Sequence, residues 1–218
     1  MQQIEAVIFD MDGVLIDSEP IYMQHVLDFY RQYEISIPHQ EVAKLAGSSN
    51  EAGWEMMASW WKSEITPQEM ERLYEANSKE EDIVYSEIIN PYVRYILPRL
   101  KKEGIRLAIA SSSSMKAITT MLKECNLSMY FDKVVTGHDF TFSKPDPAIY
   151  LHTIEELNVS KKRCIIIEDS TYGIQAGKAA GIKVIAKHDE RYGFDQSQAD
   201  YLVNDLLEAY HLILQGDE

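Results

Sequence analysis

Asp10 and Asp12 are two carboxylates separated only by Met11, at the end of the apolar run Ala6-Val7-Ile8-Phe9 and just before Gly13. Like charges held that close raise each other's pKa unless a cation intervenes. A nearby Mg²⁺ removes that cost and leaves one carboxylate able to attack phosphorus. The plain alternative is an acidic turn after a strand, since Asp and Gly are ordinary turn residues. Three further segments point toward chemistry. Leu107-Ala108-Ile109-Ala110 ends in Ser111, Lys133-Val134-Val135 leads through a loop to Ser143-Lys144-Pro145, and Cys164-Ile165-Ile166-Ile167 ends in Glu168-Asp169. In open parallel α/β sheets, ligands bind beyond the carboxyl ends of the strands. Four segments far apart in sequence can therefore converge on one site.

The elements that must position these residues are legible in the texture of the chain. From Asp17 to about Asn90 the sequence reads as helical. Tyr22, Val26, Phe29, Tyr30 and Tyr33 share one helical face, Val42 and Leu45 mark a short helix ending near Gly47, and Trp54, Met57, Ala58 and Trp61 repeat the same spacing. Thr66-Pro67-Gln68-Glu69 reads as a helix start with a capping box, and Met70, Leu73 and Tyr74 follow at helical spacing. Such aromatic and Met stripes read as core. After Asn90, strand-like runs at about 105–110, 133–136, 164–168, 182–186 and 201–203 alternate with helical stretches. That alternation predicts a parallel sheet with helices on both faces, which the N-terminal strand near 4–10 would join. Pro98 lies within a helical pattern that ends near Gly104, and predicts a kink or a late start. Asp146 and Pro147 are expected to cap and begin the helix after Lys144. The small residues Gly173, Ala176, Gly177, Ala179 and Ala180 predict close helix–sheet packing.

A formal net charge of −14 with a pI near 4.8 argues against nucleic acid and anionic membranes as partners, since both select basic surface. Cys125 and Cys164 read as packed free thiols in a reducing compartment. No signal-peptide pattern and no apolar stretch near the roughly 20 residues that span a bilayer is found, so the expectation is a soluble cytoplasmic protein, taken as a monomer. The six histidines show no metal-ligand spacing. No Walker-type phosphate loop and no nucleophilic Ser or Cys elbow is present.

The set Asp10-Met11-Asp12-Gly13-Val14, Ser111, Lys144-Pro145 and Glu168-Asp169-Ser170 resembles the haloacid dehalogenase superfamily of phosphoryl-transfer enzymes. The strings Val14 to Pro20 and Glu168 to Ala176 resemble its β-phosphoglucomutase-like branch, which also contains many small-molecule phosphatases. The resemblance implies an α/β Rossmannoid core over 1–16 and 86–218, with an inserted helical cap over 17–85 that closes over the active site. It implies Asp10 as nucleophile and Asp12 as general acid and base; dehalogenases lack the second Asp, which argues against that reaction. It implies a Mg²⁺ held by Asp10, the main-chain carbonyl of Asp12, Asp169 and Glu168, the last directly or through water. Lys144 would neutralise the transferring phosphoryl group and pair with Asp10. Ser111 and Ser112 would bind phosphoryl oxygens, beside main-chain N–H groups at the following helix start.

The substrate implied is a small phosphorylated metabolite, and two reactions compete. The family's mutases carry an Arg after a Gly-x-Ser in the cap, where this chain has Asn50 after Gly47-Ser48-Ser49. They carry a His where Tyr22 stands and a Lys where Ser114 stands. These departures weaken a grip on a second phosphate, although Asn50 remains a candidate substrate contact. The expectation is therefore a phosphatase of small phosphate monoesters, sugar phosphates among them, with β-phosphoglucomutase as the alternative.

Overall fold

Six runs rich in Val, Ile and Ala form six strands: β1 (Ala6–Phe9), β2 (Arg106–Ser111), β3 (Lys133–Thr136), β4 (Cys164–Glu168), β5 (Lys183–Lys187) and β6 (Tyr201–Val203). In the computed structural model, which describes residues 3–46, 48, 50–78 and 83–215, they make one sheet in the order β3-β2-β1-β4-β5-β6. All five pairings are parallel. Strands buried on both faces read as near-continuous apolar runs, which is why no polar alternation marks them.

Nine α-helices accompany the sheet among the described residues. They are α1 (Glu19–Gln32), α2 (His39–Val42), α3 (Asn50–Ser59), α4 (Pro67–Asn77), α5 (Val93–Lys102), α6 (Met115–Glu124), α7 (Ala148–Leu157), α8 (Thr171–Ala179) and α9 (Leu206–Gln215). One face of the sheet, carrying Ala6, Ile8, Ala108, Ala110, Ile166 and Val184, is covered by Tyr150 and Ile154 of α7 and Ile174 and Ala176 of α8. The small residues of α8 permit this: a Cβ on Gly177 would stand 2.7 Å from a Val184 methyl. Helices α5 and α9 pack together, α5 against β2 and α9 against β5 and β6.

The chain divides into two compact units, Met1–Asp17 with Val84–Glu190 and Phe194–Glu218, and Ser18–Ile83 with Arg191–Gly193. The first holds the sheet. The second holds α1 to α4 around Met23, Val26, Phe29, Tyr30, Val42, Met57 and Met70. Its capping box forms as the sequence predicts, with the Glu69 N–H donating to Thr66 Oγ1 and the Thr66 N–H to Glu69 Oε2. The short helix of Val42 and Leu45 is one α-turn followed by a 3₁₀ turn over Ala43–Leu45; Gly47 lies outside the described residues.

Local details depart from expectation by a residue or so. Pro98 sits inside α5, which nevertheless begins at Val93. Tyr92 precedes α5 in the left-handed region at φ 68°, an unfavourable conformation for a side chain with a Cβ. Asp146 does cap, accepting from the Ala148 N–H at 2.9 Å, but Pro147 takes the capping position and α7 starts at Ala148. Cys125 and Cys164 are buried free thiols.

Candidate active site

The sheet order places the chemistry. Strand β1 runs on to β2 on one side while its other neighbour, β4, runs on to β5 on the opposite side, so the carboxyl ends of β1 and β4 flank the crevice where such sheets bind ligands. Phe9 is in register with both Ile109 and Ile167. The next residues, Asp10, Ala110 and Glu168, therefore emerge side by side at one sheet edge.

Lys144 joins them. Its ammonium lies 2.6 Å from Asp10 Oδ1 and 2.7 Å from Glu168 Oε1, and donates to the Ala110 carbonyl at 3.2 Å. The lysine and Asp10 side chains are about a tenth exposed or less, and that of Glu168 is fully buried. One cation thus serves two carboxylates, and the two are not equally served. Glu168 Oε1 also accepts from the Tyr150 hydroxyl at 2.8 Å, and its Oε2 accepts from the N–H groups of Asp169 and Ser170 and from the Ser170 hydroxyl. Burial alone would raise the Glu168 carboxyl, but the Lys144 charge and these donors hold it below its ordinary range. Burial likewise opposes the Lys144 charge, yet the two carboxylates keep its pKa well above the usual value. For Asp10, burial, Glu168 and Asp12 together outweigh Lys144 and push the carboxyl up to about 8. Without a further cation, Asp10 carries a proton at neutral pH.

The loop after Asp10 folds back on itself. Gly13 adopts φ 76°, donates its N–H to the Ile16 carbonyl at 2.8 Å, and has no room for a side chain. A Cβ there would fall on the Asp169 carboxylate. Asp169 thus lies directly against the Asp12–Gly13 main chain. The Asn90 amide locks this loop, donating to the carbonyls of Gly13 and Val14 at 3.1 and 2.9 Å. Gly173 does for Glu168 what Gly13 does for Asp169: a Cβ at Gly173 would collide with the Glu168 carboxylate.

On the β2 side, Ser111 is buried at the strand end, and its hydroxyl accepts the Ser113 N–H at 3.0 Å. The Ser113 hydroxyl donates to Asp12 Oδ2 at 2.6 Å. The Thr136 hydroxyl, from the neighbouring strand end, donates to the Ser113 carbonyl at 2.7 Å. Ser112 is exposed, with its main chain passing close to Gly137. Ser114 caps α6 through the Ala117 N–H.

Asp10, Asp12, Ser111, Lys144, Glu168 and Asp169 are therefore gathered at one end of the sheet, with Ser112 in the same loop. Asn50 opens α3, but its side chain lies outside the described residues, as do Gly47 and Ser49. Sequence reasoning missed Tyr150 and Asn90, and weighed Ser113 evenly with Ser112 as a phosphoryl contact. Ser113 stands in a serine run that carries no mark of which hydroxyl turns inward. Tyr150 has a faint signal in being a phenol on an otherwise apolar helix face.

A family model for haloacid dehalogenase-like hydrolases matches residues 7–187. The chain belongs to that family. Among its relatives is a phosphorylated carbohydrates phosphatase of Thermotoga maritima, 34% identical over 184 residues that make up 84% of each chain. Hexitol phosphatase B of Escherichia coli (strain K12) is 29% identical over 201 residues, 88% of this chain and 89% of that one. The β-phosphoglucomutase of Clostridium difficile shares the family fold with a TM-score of 0.76 at 24% identity, over 98% of this chain and all of the other. No helix among the described residues is long and apolar enough to cross a membrane.

Proposed function

We propose that the protein is a Mg²⁺-dependent phosphatase of small phosphate monoesters, sugar phosphates foremost, working through a phosphoryl group carried on Asp10. The observation that carries this reading is that Asp10, buried at the end of β1, shares its one lysine with Glu168, which has four further donors of its own. Among the described residues no group of three or more His, Cys, Asp or Glu side chains is gathered so as to hold a metal unaided. Glu168 has both oxygens taken by protein donors. The carboxylates of Asp10 and Asp169, with the main-chain carbonyl of Asp12, are the groups assigned to the metal. That set fits Mg²⁺, which takes one or two carboxylates and fills its octahedron with water and substrate phosphate. Bound there, Mg²⁺ would supply charge stabilisation to the phosphoryl oxygens and favour the ionised form of Asp10.

The chain's own groups then divide the work. Asp10 attacks phosphorus in line, and its bond to phosphorus forms as the ester oxygen leaves. Asp12, turned by the Ser113 hydroxyl, gives a proton to that leaving oxygen and later takes one from the water that hydrolyses the acyl phosphate. Lys144, fixed by Glu168, sits beside the attacking oxygen and offsets charge on the transferring group. Ser111 and the Ser112 main chain line the β2 side, where phosphoryl oxygens would lie. The helical insertion, Asn50 within it, is where selection of the leaving group is assigned. The 34% identity to a phosphatase of phosphorylated carbohydrates supports this reaction class.

The test is a panel of phosphate monoesters with Mg²⁺, including β-glucose 1-phosphate with and without a glucose bisphosphate primer. Release of inorganic phosphate from several sugar phosphates is expected. Primer-dependent formation of glucose 6-phosphate without net phosphate release would assign the protein to the mutases.

A further inference from the structure

Main-chain carbonyls just past a strand have left the ladder and need partners elsewhere. Strands β4 and β5 end side by side, Glu168 in register with Ala186. At these ends, the carbonyls of Asp169, one residue past β4, and of Lys187, the last residue of β5, both accept from one group, the Gln196 amide, at 2.6 and 2.8 Å. Gln196 is buried, and its Oε1 lies 3.1 Å from His188 Nδ1. The whole amide is thus used inside the fold, both hydrogens and the oxygen. The same segment is fastened to the start of α8, where the Asp195 N–H donates to Thr171 Oγ1 at 2.8 Å.

The other side of Asp169 is held as well, its N–H donating to Glu168 Oε2 at 2.9 Å. The two peptide planes flanking the Asp169 Cα are clamped, one by a carboxylate and one by the glutamine. With both planes fixed, the direction of the Asp169 Cβ is fixed, and its carboxylate is directed to the Gly13 main chain. We infer that Gln196 is a positioning residue of the metal site, holding the Asp169 main chain so that its carboxylate meets Mg²⁺ in one geometry. This rests on the metal reading proposed above. Gln196 touches neither substrate nor metal; it acts through Asp169.

The test is direct titration of metal-free protein with Mg²⁺ alone by isothermal calorimetry, with the thermal midpoint in EDTA measured alongside. Gln196→Met keeps the side-chain length and removes both donors. Its Mg²⁺ dissociation constant is expected to rise about 10- to 100-fold, the range found when a partner of a metal ligand is lost. Gln196→Asn, one methylene short of spanning both carbonyls, is expected to fall between. A purely structural glutamine would lower the EDTA midpoint and leave Mg²⁺ affinity unchanged. That result in folded Gln196→Met overturns the inference and leaves the metal reading standing. If the Met variant does not fold, wild-type affinity in Gln196→Asn overturns it equally. Wild-type protein that binds no Mg²⁺ overturns both the inference and the metal reading.

Discussion

In the α/β unit, Lys144 donates to both Asp10 and Glu168 at the strand ends, and Tyr150 donates to Glu168 as well. In the helical unit, the buried polar group of note is the Tyr30 hydroxyl, which donates to the Met57 carbonyl amid aromatic rings. Phe29 is the hub there, with the rings of Tyr30, Tyr33 and Tyr74 at 5.0 to 5.3 Å. Burial raises the Tyr30 phenol and nothing opposes it, so the group is a fixed neutral donor. At the strand ends, burial, like charge and one shared cation oppose each other, and a proton or a metal decides the balance. Both units bury polar groups, but in the α/β unit the burial sets two carboxylates against one shared cation. That difference locates the chemistry more firmly than any single residue type.

The sharpest way to break the comparison is Asp10→Asn. An amide cannot form the acyl phosphate, so phosphatase turnover is expected to fall by at least about a thousandfold in steady-state assays with saturating Mg²⁺. The variant is expected to stay folded, because Asp10 is already uncharged in the metal-free protein at neutral pH and the amide matches it in shape. Substantial residual turnover would return Asp10 to the status of a structural carboxylate.

Lys144→Met is expected to cost stability as well as activity. It strands the buried Glu168 carboxylate, and breaking a buried ion pair from one side costs about 3–5 kcal/mol. Urea denaturation in EDTA reads this; a change below about 1 kcal/mol would show that Lys144 is not the counter-ion described.

The pH dependence follows from Asp10. Its folded pKa, about 8, lies above the ordinary 3.8, so between those values the native state keeps a proton that the unfolded chain has released. Stability of the metal-free protein is therefore expected to fall as pH rises from about 4 to about 8, by on the order of a few kcal/mol, and to level off above that. Saturating Mg²⁺ or Asp10→Asn should each flatten the slope. Stability rising with pH across that window would contradict the assigned direction.

Much of this arrangement was legible in the sequence, and the reason is local. The six strands were marked by their β-branched runs, and the capping box at Thr66 and Glu69 is a short-range device. The residues ending β1, β2 and β4 could be placed together because parallel strands expose their carboxyl ends on one edge. What stayed hidden depends on partners distant in sequence. Asn90 reaches back 77 residues to Gly13, and Tyr150 is 18 residues from the carboxylate it serves. Ser113 rather than Ser112 turns to Asp12, a choice made by where the chain leaves β2. Glu168 reads in sequence as a metal carboxylate, directly or through water; its five protein donors have no signal there.

Two smaller effects sharpen the comparison. Tyr30→Phe removes the buried donor of the helical unit and is expected to cost about 1–2 kcal/mol in urea denaturation, with Mg²⁺ affinity unchanged. A matching loss of Mg²⁺ affinity would mean that the two regions are not separable in this way. Tyr92→Gly relieves the left-handed residue ahead of α5 and is expected to stabilise by up to about 1 kcal/mol, read as a higher thermal midpoint. A lower midpoint would show that contacts of the ring outweigh the backbone strain.

The central claim is that the charge-deficient carboxylate at the end of β1 carries the phosphoryl group. Borohydride reduces an acyl phosphate to an alcohol, so quenching the enzyme with it during turnover and mapping the peptides by mass spectrometry identifies the carrier. The account predicts reduction at Asp10, dependent on both substrate and Mg²⁺. Reduction at Asp12 or Asp169, or turnover that leaves every carboxylate unmodified, would contradict it.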